Sequence, residues 1–206
     1  MANSNVVVGN AIGTTFSGAA LGNVLHGVLV QGGASANRIG DLPAGDGNTI
    51  AYNGLTGVAV TSGTKNSIRR NSIFSNATLG IDLGATGVTL NDTNDPDSGA
   101  NNLQNFPILR NPRPNGAGAT LVDWRLQSTP FTTFTIELYS QSSCDPSGYG
   151  EGERYLGSSS GTTDVTGYTP FITTTVLFVP AGWWVTATAT DPNGNTSEFS
   201  RCDQSK

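Results

Sequence analysis

The sequence predicts an all-β chain in two parts. A coil of short, stacked parallel strands occupies residues 1–90, an antiparallel layered unit occupies residues 111–206, and an acidic, asparagine-rich junction at 91–110 joins them. Three observations carry this reading. Charged residues make up only 12% of the 206 positions while Gly, Asn, Ser and Thr abound, which disfavours long amphipathic helices and favours strands with tight turns. The opening ninety residues repeat internally, with a spacing of 23 in their clearest part. Beyond Ala119, apolar and polar residues alternate in short runs separated by Gly, Pro, Asn and Asp.

The repeat is read from two aligned segments, Gly47–Val60 and Lys65–Leu83. At a spacing of 23, Asn48 falls on Asn71, Ile50 on Ile73, Asn53 on Asn76, Gly57 on Gly80 and Val60 on Leu83. A second pair, Asn37-Arg38-Ile39 and Asn66-Ser67-Ile68, is offset by 29, and Asn10-Ala11-Ile12-Gly13 precedes Asn37-Arg38-Ile39-Gly40 by 27. The extra length is assigned to a bulge over residues 41–47. A repeat this short suits one turn of a coil rather than a helical pair. Val28 and Val30, Val58 and Val60, and Ile81 and Leu83 are expected to point inward and stack, with asparagines at the corners.

With N-x-I-x-x-N and G-V-x-V as they stand here, residues 5–90 resemble the right-handed parallel β-helix repeats of pectate-lyase-like proteins. That resemblance implies a β-helix of three to four turns and, because unrelated functions share such scaffolds, says little about activity. End turns of a solenoid need covering. The C-terminal unit is expected to cover one end, and a homo-oligomer contact or a larger parent chain the N-terminal end.

The junction gathers Asp92, Asp95 and Asp97 with Asn94 ahead of Gly99, the close spacing of oxygen ligands found in calcium loops. It is not an EF-hand, since Leu103 stands where a bidentate Glu would be required. Two readings stay open, a hard cation such as calcium held by Asp92, Asn94, Asp95 and Asp97, or a solvated polar turn. The run NDTNDPDSGANNLQNFPIL together with ATATDPNGNTSEFS resembles the C-terminal region of bacterial exported proteins that join a β-helix to a small β-sandwich. It implies a secreted or cell-surface location.

In the C-terminal unit, LVDWRL, FTTFTIELYS, ERYLGSSS, FITTTVLFV, WWVTATATD and NTSEFS read as strands of an immunoglobulin-like β-sandwich. In the second of these, Phe134, Ile136 and Leu138 are expected inside, with Thr133, Thr135, Glu137 and Tyr139 on a wet face. Asp191-Pro192-Asn193-Gly194-Asn195 is a turn. Glu151 and Glu153 read as solvated loop residues. Trp183 and Trp184, adjacent in one strand, point to opposite faces. An outward ring would form a stacking platform for a sugar, whereas core and seam packing would leave none. Cys144 and Cys202, the only two cysteines, are candidates for a disulfide, which would fit an oxidising, extracellular setting.

The net charge of −5 and the lack of any basic cluster beyond Arg69–Arg70 argue against nucleic acid. No apolar run is long enough to span a membrane, so no membrane insertion is expected. The N-terminus lacks the features of a signal peptide, and the chain reads as a piece of a longer exported protein. His26 is the single histidine, which leaves oxygen-rich metal sites as the candidates. No nucleophile elbow or phosphate-binding loop appears. Polysaccharide lyase or glycoside hydrolase chemistry would need carboxylates in the coil's groove, for which Asp82, Asp46 and Asp41 are weak candidates with Arg69 or Arg70 as charge partner. Asp82, between inward Ile81 and Leu83, is expected to face outward. The favoured function is a non-catalytic extracellular module for adhesion, glycan binding or display. A polysaccharide-active enzyme is the alternative.

Overall fold

A computed structural model describes residues 2–40 and 47–206. The expectations for Asp41, Asp46 and most of the bulge therefore lie outside the described residues. The fold is all-β. Among the described residues, nine strands of two or three residues come first: β1 (Val6–Val7), β2 (Ala11–Ile12), β3 (Val28–Val30), β4 (Arg38–Gly40), β5 (Thr49–Ala51), β6 (Val58–Val60), β7 (Ser67–Arg69), β8 (Ser72–Phe74) and β9 (Ile81–Leu83). They form three parallel sheets ordered β1-β4-β7, β2-β5-β8 and β3-β6-β9, so the chain visits the same three sheets in the same order three times.

The register confirms the spacing of 23: Ile50 pairs with Ile73 and Val60 with Leu83. It also confirms the offset of 29, since Ile39 pairs with Ile68. The offset of 27 is corrected. Ala11 and Ile12 pair with Thr49 and Ile50, and Val6 and Val7 pair with Arg38 and Ile39. The corners before the first two sheets both begin with Asn followed by an apolar residue two positions on, as at Asn5, Asn10, Asn37, Asn48, Asn66 and Asn71, so a step from one sheet to the next mimics a full turn in sequence. Inside, Ile50, Val58, Val60, Ile73 and Leu83 are at most 1% exposed. Burial of each such side chain contributes about 1.5–3 kcal/mol relative to exposure.

Three asparagine ladders run along the corners, Asn5–Asn37–Asn66, Asn10–Asn48–Asn71 and Asn23–Asn53–Asn76. In each step the upper residue donates its backbone N–H and its Nδ2 to the Oδ1 of the residue below, as from Asn53 to Asn76 at 3.2 and 2.8 Å. The aligned Gly57 and Gly80 are explained by crowding at the same corner. A Cβ on Gly57 would lie 2.7 Å from Gly80 O and 2.7 Å from Ile73 Cγ2.

After a 3-10 turn at Ala100–Leu103 come β10 (Ile108–Pro114), β11 (Ala119–Arg125), β12 (Thr133–Gln141), β13 (Arg154–Thr162), β14 (Ile172–Leu177), β15 (Trp184–Thr190) and β16 (Asp203–Gln204). They form two antiparallel sheets, β10-β11-β14 and β13-β12-β15-β16. Val122, Trp124, Phe134, Ile136, Leu138, Val176, Val185 and Ala187 from both sheets build one core. β10 is absent from the sequence reading because Pro112 and Pro114 disguise it. It tolerates them as an edge strand.

The expected wet face of β12 is a correction. Glu137 and Tyr139 are 0% and 2% exposed. The outer face of the four-stranded sheet packs on the last turn of the coil, and Tyr139 and Phe199 join the coil's own core. Glu151 is likewise buried rather than solvated, and so is the whole stretch Asn195–Ser200, which forms no strand of its own. These polar groups meet the lower edge of the coil. Asn66 N donates to Asn101 Oδ1 at 3.0 Å, and Asn76 N and Nδ2 donate to Glu151 Oε1 at 3.1 and 2.8 Å. Leu83 N donates to Glu198 Oε1 at 3.0 Å, Ile68 N to Thr196 Oγ1 at 3.0 Å, and Arg70 N to Glu137 Oε2 at 3.0 Å. A backbone bridge from Ile73 to Gly152 completes the cover.

Candidate metal centre

The segment leaving β9 runs back along the second unit and is held there by asparagine side chains. Asn91 and Phe106 exchange two hydrogen bonds, Asn91 Nδ2 to Phe106 O at 2.8 Å and Phe106 N to Asn91 Oδ1 at 2.9 Å. Asn105 accepts from Asp92 N at 3.1 Å and donates to Asp92 O and Gln127 O. The chain between them bends through left-handed Asn94 and Asp95, residue types that tolerate that conformation.

This fold brings Asp92, Asp95 and Asp97 together, with one carboxylate oxygen from each lying within 4.8 Å of the others. Asp95 is oriented by three donors on its Oδ2: Gln104 Nε2 at 2.8 Å, Asn105 N at 3.2 Å, and the Ser128 hydroxyl. Among the described residues its Oδ1 has no hydrogen-bond partner, and neither has Oδ1 of Asp92 or of Asp97, although all three atoms are shielded from solvent. Two oxygens bound at about 2.3–2.6 Å on opposite sides of one ion stand about 4.6–5.2 Å apart, so the cluster has the dimensions of a hard-cation site and could hold a metal ion. Burial pushes Asp95 up to about 6, against the pull of Ser128 and Asn105 and with added push from Asp97 and Asp92. Asp97 is raised by burial and then by Asp92. A cation among the three oxygens would remove that repulsion.

The remaining predicted ligand is Asn94. It is exposed, and its Oδ1 lies where a Cβ on Gly167 would fall, 2.5 Å away. Gln104, Asn105 and Ser128, which orient the site, lie too far along the chain from Asp95 for spacing to reveal them.

The catalytic candidates are dispersed. Asp82 leaves the coil's interior as expected but is covered by the loop at 84–88 and is only 7% exposed. Burial raises its carboxyl, against the amide of Gly87, the charge of His26 and the hydroxyl of Thr56. It lines a cavity of about 340 Å3 with Thr78, Leu79, Val88, Asp145 and Ser147. Arg69 Nη2 lies 3.3 Å from Glu137 Oε1, across the seam between the coil and the second unit, and Arg70 Nε lies 3.7 Å from the same oxygen. Trp183 packs against the second core, and Trp184 opens β15 opposite Gln141 and Gln204. Both rings are half-buried. The third tryptophan, Trp124, is fully buried and donates its Nε1–H to Thr174 Oγ1 at 2.8 Å. Cys144 and Cys202 form the expected disulfide. Among the described residues no helix is long and apolar enough to cross a membrane. No protein-family model and no curated protein matches the chain.

Proposed function

We propose that the chain is a non-catalytic extracellular module, stabilised by calcium where the coil meets the antiparallel unit, that serves adhesion, glycan contact or display. In this reading the coil is a right-handed parallel β-helix and the two antiparallel sheets form an immunoglobulin-like sandwich, as in bacterial exported proteins of that build. The carrying observation is the approach of one carboxylate oxygen each from Asp92, Asp95 and Asp97 to within 4.8 Å, with Oδ1 of all three shielded and without a donor among the described residues, and with Asp95 oriented by Ser128, Gln104 and Asn105. An all-oxygen ligand set favours a hard ion, and calcium accepts irregular geometry more readily than magnesium. The disulfide supports an oxidising compartment.

Calcium at about a hundred times its dissociation constant stabilises by about 2.7 kcal/mol. Chelation is therefore expected to lower Tm, and calcium to restore it, in the wild-type chain. In a variant carrying Asp92→Ala with Asp97→Ala neither treatment should have an effect. An unchanged Tm after complete removal of bound metal, verified by elemental analysis, rejects the calcium reading. A polysaccharide-active enzyme keeps one supporting observation, the Oδ1 of Asp82, which has no hydrogen-bond partner among the described residues, beside its cavity. Release of new reducing ends or unsaturated uronates, lost in Asp82→Ala, would favour it over the non-catalytic reading.

A further inference from the structure

The two ends of the coil are unlike in hydrogen-bonding sense. Each ladder step runs one way, from the N–H and Nδ2 of the upper asparagine to the Oδ1 of the lower. The lower end must therefore present donors. Two of its three ladders close on side-chain oxygens, Asn101 Oδ1 below Asn66 and Glu151 Oε1 below Asn76. The upper end presents acceptors instead. Among the described residues, no donor reaches Oδ1 of Asn5, Asn10 or Asn23, the exposed residues that head the three ladders.

The upper end is also open. Among the described residues, β1, β2 and β3 each pair with a neighbouring strand on one side only. An apolar cavity of about 280 Å3 opens there among Val7, Val28, Val30, Ala34 and Ile39, in contact with the aliphatic rows of the coil. The same first turn leaves Val6, Phe16, Leu21, Val24, Leu25 and Leu29 exposed, at 44–91%.

We infer that this end is a docking surface for one further parallel turn from another polypeptide. That turn carries asparagine at its three corners, with aliphatic residues two positions beyond the first two and five and seven positions beyond the third, the pattern of Asn66–Leu83. Its asparagine N–H and Nδ2 groups would fall on the three free Oδ1 atoms, and its aliphatic side chains would fill the cavity. A second folded copy of this chain does not fit. Its upper end would set acceptor against acceptor, and its lower end is already covered by its own Asn101, Glu151 and Glu198. The inference is independent of the calcium site and of the proposed function.

The test attaches to the N-terminus of the full chain, through a flexible Gly/Ser linker, a copy of its own third turn, residues Asn66–Leu83. Tethering raises the local peptide concentration to the millimolar range, which offsets the cost of ordering a free peptide. The expected result is a higher Tm than the unextended chain, with slowed amide exchange in β1, β2 and β3. Both effects should be lost when the appended copy carries N66D, N71D and N76D, which turn its Nδ2 donors into acceptors at constant shape. Equal Tm and exchange in the two fusions overturn the inference, whether both rise or neither does. A concentration-dependent dimer of the unextended chain that protects β1–β3 would overturn it too, by naming a second copy as the occupant.

Discussion

Glu151→Gln tests how the antiparallel unit covers the coil. Glu151 Oε1 receives both donors of Asn76 inside the protein, and burial pushes its carboxyl from 4.5 up to about 7, offset in part by Asn76 and Ser75. Between these two values the folded protein keeps a proton that the unfolded chain has released. The stabilisation is therefore complete below pH 4.5, falls as pH rises, and is gone above about pH 7. At about 1.4 kcal/mol per pH unit this amounts to about 3 kcal/mol for the single group. Glutamine retains an oxygen for Asn76 and cannot titrate. Urea unfolding from about pH 4.5 to 8.5 should show the wild type losing about 3 kcal/mol relative to the variant, most of it between about pH 5 and 7. Glu198, also raised by burial to about 7, should behave in the same way in Glu198→Gln. Stability curves for wild type and Glu151→Gln that run parallel across this range would refute the reasoning.

Three further outcomes are expected. Replacing Cys144 and Cys202 together with serine should cost about 4 kcal/mol of stability by denaturant titration, since the bridge closes a loop across a separation of 58. Glu137→Ala should cost about 3–5 kcal/mol in the same assay, because it leaves Arg69, the Arg70 amide and the Tyr139 hydroxyl without their shared buried acceptor. Gly57→Ala should cost about 1–3 kcal/mol, read as a lowered Tm, since the new methyl meets Gly80 O and Ile73 Cγ2 at 2.7 Å.

The coil was legible wherever one turn resembles the next closely. Asn48, Ile50 and Asn53 predict Asn71, Ile73 and Asn76, and they pair or ladder as read. The first turn was not, because residues 13–27 lengthen it and a false match at the neighbouring corner was nearer in sequence. The acidic cluster was visible because its three carboxylates are close in the chain. The cover over the coil was hidden for the opposite reason. Glu137, Glu151 and Glu198 each accept from an amide more than sixty positions away, and a charged residue in a strand reads as wet unless its distant donor is known. Glu137 carried one signal, an isolated charge in a run of Phe, Thr, Ile, Leu and Tyr. Asp82 shows the converse: its outward direction follows from alternation, but its cover comes from a loop that alternation does not describe.

The unequal corners of the coil have a practical reach. The chain passes from β2 to β3 through residues 13–27, but from β5 to β6 through 52–57 and from β8 to β9 through 75–80, while the strands stay aligned. Closing a longer excursion costs only slowly rising chain entropy. The tip of that corner, residues 15–19, hydrogen-bonds only within itself and to Thr14 among the described residues, and therefore accepts a change of length without disturbing the ladder that Asn23 heads. A foreign epitope or peptide spliced between Thr15 and Ala19 would be carried on a frame whose geometry it does not need to share.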